Sequence, residues 1–329
     1  AQTPTIIRFF QSTGALCVRI FSCRCCRCTS KAKHTGFAFS QSMSTTRFVA
    51  IVGNAEASIS PEISEGFANM GALADDETLC KIDGTHTPDY RRASRPFAEN
   101  CGFVLAESTQ YIVLMDDSLA IELGADIHGA VTNVFINADG VKKSISAPGV
   151  GNYLSFSQAV AAAIAVVGED TVKYNSFVHA HGSSTPANRV TESDVLDRTA
   201  QAFNIFDWPV TAIKSYVGHS MAAASGDQVI SALGTFSYQI IPGIKTINKV
   251  ADDVNQERLE FLLGDRNCEA DPMHVAFINS KGFGGNNASG YIISPQKVEE
   301  LLARKYDDNM LADYNEKRIV AMQSAKTYE

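Results

Sequence analysis

Beyond Arg47 the chain alternates short apolar runs with stretches of helical period, and this alternation confines it to a layered α/β fold. Phe48 to Val52, ending in Gly53-Asn54, reads as a buried strand. Gln110 to Met115 and Ala130 to Ile136 read likewise, the latter closed by Ala138-Asp139-Gly140. Helical patterns cover Asp116 to Leu123, Phe156 to Val167, Glu192 to Phe203 and His219 to Phe236. No internal repeat and no Pro/Ser/Gly linker interrupts them. The charged tail from Val298 to Glu329 is helical in pattern and is expected to leave the core or lead into a further segment. With 19% charged residues and a net charge of -8, the chain is neither a disordered tail nor a basic nucleic-acid binder. An uninterrupted apolar run of about 18 residues, the length needed to span a bilayer, is absent from the sequence.

The first 55 residues break the pattern. They contain no Asp or Glu, seven Lys and Arg, and five of the eight cysteines: Cys17, Cys23, Cys25, Cys26 and Cys28. A basic targeting presequence has this composition, although the chain begins at Ala1. A zinc or disulfide cluster is a second reading, but the adjacent Cys25 and Cys26 fit no standard pair of ligand hairpins. A third reading comes from the genetic code. A Cys codon that loses its first letter must yield Ala or Val, so an Ala-rich helix read out of frame becomes rich in Cys and Arg.

Three segments place reactive side chains beside glycines at the ends of apolar strands. They are Phe177 to Pro186, with His179, His181 and Gly182; Lys214 to Ser220, with Gly218 and His219; and Asn279 to Asn287, with Gly282, Phe283, Gly284 and Gly285. Loops at the carboxyl ends of strands are where α/β sheets bind ligands. His179 and His181, two apart, would point the same way on a strand and form half a metal site, which keeps a metal-dependent hydrolase open as a reading.

In this order the three segments resemble the β-ketoacyl-acyl-carrier-protein synthase (condensing enzyme) family. His181 to Pro186 looks like its His-Gly-Thr-Gly-Thr-Pro element, with Glu192 at the spacing of a family glutamate. Lys214 to His219 looks like Lys-Ser-Asn-x-Gly-His, followed by the small-residue helix Met221 to Gly226. Gly282 to Asn287 looks like the closing Gly-Phe-Gly-Gly-x-Asn loop. Upstream, Arg95-Pro96-Phe97, Gly102-Phe103-Val104 and Glu107 match a further stretch, so the resemblance covers about residues 47 to 294.

The resemblance implies an α/β thiolase-like layered fold (α-β-α-β-α) with part of the N-terminal half missing. Residues 1–46 are then an aberrant segment, 47–140 the rest of the N-terminal half, 141–294 the C-terminal half and 295–329 a helical tail. It also implies an acyltransferase that condenses an acyl thioester with malonyl-acyl carrier protein, by decarboxylation, in fatty acid or polyketide synthesis. No cofactor or metal is expected. The implied partner is an acyl carrier protein bearing acyl and malonyl groups, with a homodimer or heterodimer of condensing subunits, no nucleic acid, no membrane span and a cytoplasmic location.

A cysteine nucleophile, with His181, His219 and Lys214, makes up the implied catalytic set. Two neutral imidazoles would donate hydrogen bonds to the oxygen that becomes negative as CO2 leaves. Glu192 is the expected anionic partner of a buried Lys214. Thr185, Phe283 and Gly284 would support or bind substrate, with Phe283 gating the acyl pocket and Gly282 and Gly284 giving it backbone freedom.

The chain departs from the family at Ser184, where a Gly is usual, and at Tyr216-Val217. Loop packing is expected to change there without loss of a proton donor. The larger departure is at the nucleophile, where Cys17 stands closest to the family position. In the neighbouring frame, Leu16 onward can read Cys-Ala-x-Ala-Ser-Ser, so residues 16 to 45 are expected to derive from a shifted frame. A competent condensing enzyme and an impaired remnant that binds acyl groups or an intact partner both remain open. An exposed sheet edge and instability in isolation follow from the missing N-terminal elements.

Overall fold

The computed structural model describes residues 5–9, 49–141 and 149–327, so Cys17 and the segment 16–45 lie outside the described residues. Nine strands form one mixed sheet, in the order β2-β3-β1-β4-β11-β10-β5-β6-β8. They are β1 (Thr5–Phe9), β2 (Val49–Glu56), β3 (Ser108–Asp116), β4 (Gly129–Ala138), β5 (Ser176–His179), β6 (Trp208–Thr211), β8 (Leu259–Phe261), β10 (Val275–Gly282) and β11 (Asn286–Ile293). The short strands β7 (Ile240–Ile241) and β9 (Arg266–Asn267) pair separately. From β2 to β10 every neighbour is antiparallel, whereas β10, β5, β6 and β8 run parallel.

The helices are α1 (Pro61–Asn69), α2 (Asp76–Asp83), α3 (Asp117–Leu123), α4 (Val150–Val167), α5 (Glu169–Tyr174), α6 (Pro186–Ala202), α7 (Lys214–Val217), α8 (Ala224–Tyr238), α9 (Pro295–Ala303) and α10 (Asp308–Lys326). They cover both faces of the sheet, in the layering expected of strands that alternate with helices. On one face Phe156, Ala159, Val160 and Ala163 of α4 pack with Val178, Trp208, Phe277 and Tyr291. On the other, Val229, Ala232, Leu233 and Phe236 of α8 pack with Ile112, Leu114, Phe177 and Ile278. Helix α4 has 18 residues with a mean hydropathy of 1.5, long and apolar enough to cross a membrane by composition, but here it is a core helix.

The strands at 110–115 and 130–136 and the helix at 116–123 fall where the sequence places them, within two residues at each end, whereas the helices expected from Phe156 and Glu192 start six residues earlier, at Val150 and Pro186, and the one expected from His219 starts at Ala224. Two further expectations need correction. Strand β2 is an edge strand that runs through Gly53 to Glu56, with Val49 and Ile51 53% and 54% exposed. Its apolar run marks one covered face, carried by Ala50 and Val52, and not a strand buried on both sides. Gly53 is needed there because a Cβ would lie 2.2 Å from the Tyr111 ring.

The tail is the second correction, because it docks on the core. Val298, Leu302 and Tyr314 are buried, and the Tyr314 hydroxyl donates to the Ala125 carbonyl at 3.0 Å. Arg318 meets Asp126 at 3.0 Å, and Lys305 meets the buried Asp117 at 2.5 Å. Leu301, Tyr306 and Leu311 pack against the same core, so a stripe of apolar residues along two helices seats a segment whose other faces are charged.

Candidate active site

The three glycine-flanked segments converge because they follow adjacent parallel strands. His181 lies two residues beyond β5, Lys214 three beyond β6, and Lys281 is the last residue but one of β10, the other neighbour of β5. Ring centroids of His181 and His219 stand 5.3 Å apart at an interplanar angle of 77°. Each ring is held by a main-chain amide: Lys281 N–H donates to His181 Nδ1 at 3.3 Å, and Met221 N–H to His219 Nδ1 at 3.1 Å. A neutral imidazole that accepts at Nδ1 carries its proton on Nε2, so both rings are Nε2–H donors.

Their charge state follows from position. Burial, and then the nearby Lys214, hold His181 and His219 well below the ordinary value of 6.5. His219 is also fixed through its backbone, whose N–H donates to Val104 O at 2.7 Å and whose carbonyl accepts from Ala106 N–H at 3.1 Å. Phe103 packs 5.2 Å from its ring. The Gly102-Phe103-Val104 stretch thus backs the second histidine, a role that its sequence pattern did not announce.

Lys214 is fully buried, and burial brings its pKa down to about 8. The expected ion pair with Glu192 is not formed; instead the Lys214 ammonium donates to the His181 carbonyl at 2.6 Å. Glu192 has other work. Its carboxylate accepts from His181 N–H at 2.7 Å, Gly182 N–H at 2.9 Å, Asn188 Nδ2 at 2.8 Å and Asn279 Nδ2 at 2.7 Å. Four donors satisfy the buried anion, so it acts on Lys214 only as a field from farther away, together with Asp227.

Two glycines are structural requirements. Gly182 has φ +47° and a Cβ there would meet Ala212 Cβ at 2.6 Å; Gly218 has φ +71° and would meet the Val104 carbonyl at 2.9 Å. Ser184 sits at φ +63°, a position that favours glycine, and its hydroxyl compensates by accepting from Arg95 N–H at 2.7 Å. Arg95 is buried and paired with Asp83. Tyr216, the other departure, directs its hydroxyl to the Gly243 carbonyl at 2.6 Å.

Thr185 stands at the N-cap position of α6, but its hydroxyl makes no capping bond and instead shares a hydrogen bond with Ser183 at 3.0 Å. Phe283 is 50% exposed and stacks on Phe67 of α1 at 6.0 Å. The conformational freedom of its loop lies at Gly284 (φ +81°) and Gly285 (φ +83°), whereas Gly282 belongs to β10. Of the two glycines expected to give Phe283 backbone freedom, Gly284 has the left-handed conformation and Gly282 does not; Gly285 has it in its place.

His179 and His181 do not form half a metal site. Strand β5 ends at His179, so strand alternation does not extend to His181. His179 is sealed from solvent, packs against Phe177 at 5.7 Å and is pushed down to about 3 by burial. Among the described residues no group of three His, Cys, Asp or Glu is placed to hold a metal. The described cysteines are Cys80, Cys101 and Cys268, and burial raises the pKa of the last two, the reverse of what activates a thiol. What converges is a pair of neutral N–H donors beside a buried cation, suited to an oxygen that gains negative charge during reaction.

A family model described as beta-ketoacyl synthase, C-terminal domain, matches residues 128–248. The chain is 64% identical over 282 residues to the beta-ketoacyl-[acyl-carrier-protein] synthase FabY of Pseudomonas aeruginosa, covering 85% of this chain and 44% of that protein. It is 29% identical over 271 residues to the 3-oxoacyl-[acyl-carrier-protein] synthase 2 of a Synechocystis strain, covering 82% of this chain and 60% of that one. The crystal structure of the P. aeruginosa ketosynthase FabY matches with a TM-score of 0.83 at 64% identity, over 85% of this chain and 44% of that chain. A type II ketosynthase solved with its acyl-carrier protein matches in fold, with a TM-score of 0.62 at 20% identity, over 75% of this chain and 56% of that one. The chain spans about half the length of the curated relatives it matches.

Proposed function

We propose, from the premise that the chain belongs to the β-ketoacyl synthase family, that it carries the decarboxylating half of a condensing centre. The observation that supports this most is the matched tautomer of His181 and His219, both with Nδ1 occupied and Nε2–H free to donate. A malonyl thioester would place its carbonyl oxygen between the two rings. As its carboxylate leaves as CO2, the bonding electrons move into an enolate, whose oxygen takes both hydrogen bonds. The enolate carbon then attacks the carbonyl of an acyl group held on a cysteine, forms the new C–C bond and expels the thiolate. Cys17 is the candidate for that thiol.

In this reading Lys214 keeps positive potential near the developing charge, and Phe283 gates the acyl group between positions on and off Phe67. Thr185 and Gly284 line the approach. The acyl carrier is an acyl carrier protein, as the names of the relatives suggest; the same reading takes malonyl groups as the second substrate, a homodimer or heterodimer as the working unit and the cytoplasm as its location. A second reading, decarboxylation without condensation, is favoured by one observation: the donor pair is complete among the described residues without a thiol.

The two readings separate in one assay. Incubated with acyl-carrier and malonyl-carrier substrates, a condensing enzyme yields a β-ketoacyl carrier by mass spectrometry and shows one fast iodoacetamide-reactive thiol protected by acyl substrate. CO2 release that leaves acetyl-carrier alone supports the second reading. No CO2 release from a folded protein overturns both.

A further inference from the structure

Helix α8 is mainly apolar where it meets the sheet, yet Gln228 lies there with no exposure at all. Its Nε2 group, with two hydrogens, is shared among three carbonyls, those of His179 at 3.0 Å, Ala180 at 2.8 Å and Asn279 at 3.1 Å, so that one hydrogen is bifurcated. Its Oε1 is buried and has no hydrogen-bond partner. A residue held for packing alone would be apolar here, because an unpaired buried oxygen is unfavourable. The residue is therefore retained for its donor half.

The three carbonyls need an outside donor for a topological reason. Pairing of β5 with β10 stops at His179 and Ile278, after which β5 gives way to the His181 loop while β10 runs on to Gly282, paired with β11 alone. Past that point the amides of His181 and Gly182 turn to Glu192 on α6. Glu192 also takes the Asn279 side chain. One carboxylate therefore gathers donors from the two diverging chains, and Gln228, on α8, gathers their carbonyls.

We propose that Gln228 is a positioning residue for the histidine pair, a neutral clamp that sets the distance between the ends of β5 and β10. That distance decides whether Lys281 N–H reaches His181 Nδ1, and with it which nitrogen of His181 carries the proton. A carboxylate at 228 could not do this, since it offers no N–H to three carbonyl oxygens. The inference rests on the proposed function for its effect on catalysis, but not for its effect on the His181 tautomer.

The test uses the full chain labelled with 15N-histidine, with Gln228→Met as the first variant and Gln228→Glu as a second of matching shape. Long-range 1H–15N spectra should show His181 as a single Nε2–H tautomer in the wild type and as a tautomer mixture in both variants. Release of CO2 from a malonyl-carrier thioester should fall in kcat by about 10²-fold, with KM changed by less than about 2-fold. A folded variant with an unchanged His181 tautomer overturns the proposal. So does failure of both variants to fold, which would make Gln228 a folding determinant. A tautomer shift in a chain that releases no CO2 upholds the clamp and removes only the catalytic reading.

Discussion

Replacing His219 by alanine is expected to slow CO2 release from a malonyl thioester by about 10²–10³-fold, the loss typical of one deleted donor in an oxyanion site. The effect should fall on kcat, because the hydrogen bond strengthens only as charge develops on the carbonyl oxygen. His219 is 8% exposed, and its backbone contacts to Val104 and Ala106 survive the substitution, so the fold should persist. The loss should be far from additive with that of His181→Ala, since in the proposed mechanism the two rings act on one oxygen. CO2 release at the wild-type rate in a folded His219→Ala protein would contradict the assignment.

Glu192→Leu should lower unfolding stability by about 3–5 kcal/mol, as when one partner is removed from a buried charged network. Glu192 is fully buried and answers four donors, two of them main-chain amides of the His181 loop. Leucine fills the space but leaves those N–H groups without acceptors. Glu192→Gln should recover little, because its NH2 would face donors. Urea unfolding followed at Trp208, the single tryptophan, measures this, and a loss below about 1 kcal/mol would show that the loop finds other acceptors.

Much of the site was legible because its chemistry sits in short contiguous segments. His181, Lys214 and Phe283 each lie within three residues of a strand end, His181, His219 and Phe283 each adjoin a glycine, and the glycines at 182 and 218 occupy backbone positions that a side chain cannot. The role of Glu192 was misread for a physical reason. Charge pairing suggests a lysine partner, but a carboxylate in a loop core is satisfied equally well by amides, and sequence carries no sign of which amides will point inward. Gln228 escaped notice because a polar residue on an apolar helix face can be exposed or clamped, and only the pairing geometry of β5 and β10 tells which. Strand β2 runs past the Gly53-Asn54 that reads as its end and is covered on one face only, because an edge strand with one covered face and a central strand share a short apolar run. The tail reads as leaving the core because its fully buried residues, Val298, Leu302 and Tyr314, and the half-buried Leu301, Tyr306 and Leu311 are few against its many charges.

The charge state of the histidine pair also has a consequence for stability. Folded His179, His181 and His219 take up protons less readily than the unfolded chain, whose histidines titrate near 6.5. Below that pH the unfolded state binds more protons, so these groups favour folding above about pH 6.5 and their contribution is lost as the pH falls. The slope reaches at most about 1.4 kcal/mol per pH unit for each histidine.

The central claim is that His181 and His219 are neutral Nε2–H donors in the folded protein, and 15N spectra of the histidine side chains between pH 8 and pH 5 test it directly. Both rings should keep a protonated Nε2 and an unprotonated Nδ1 across the whole range. Titration of either ring near pH 6.5, or a proton found on Nδ1, would contradict it.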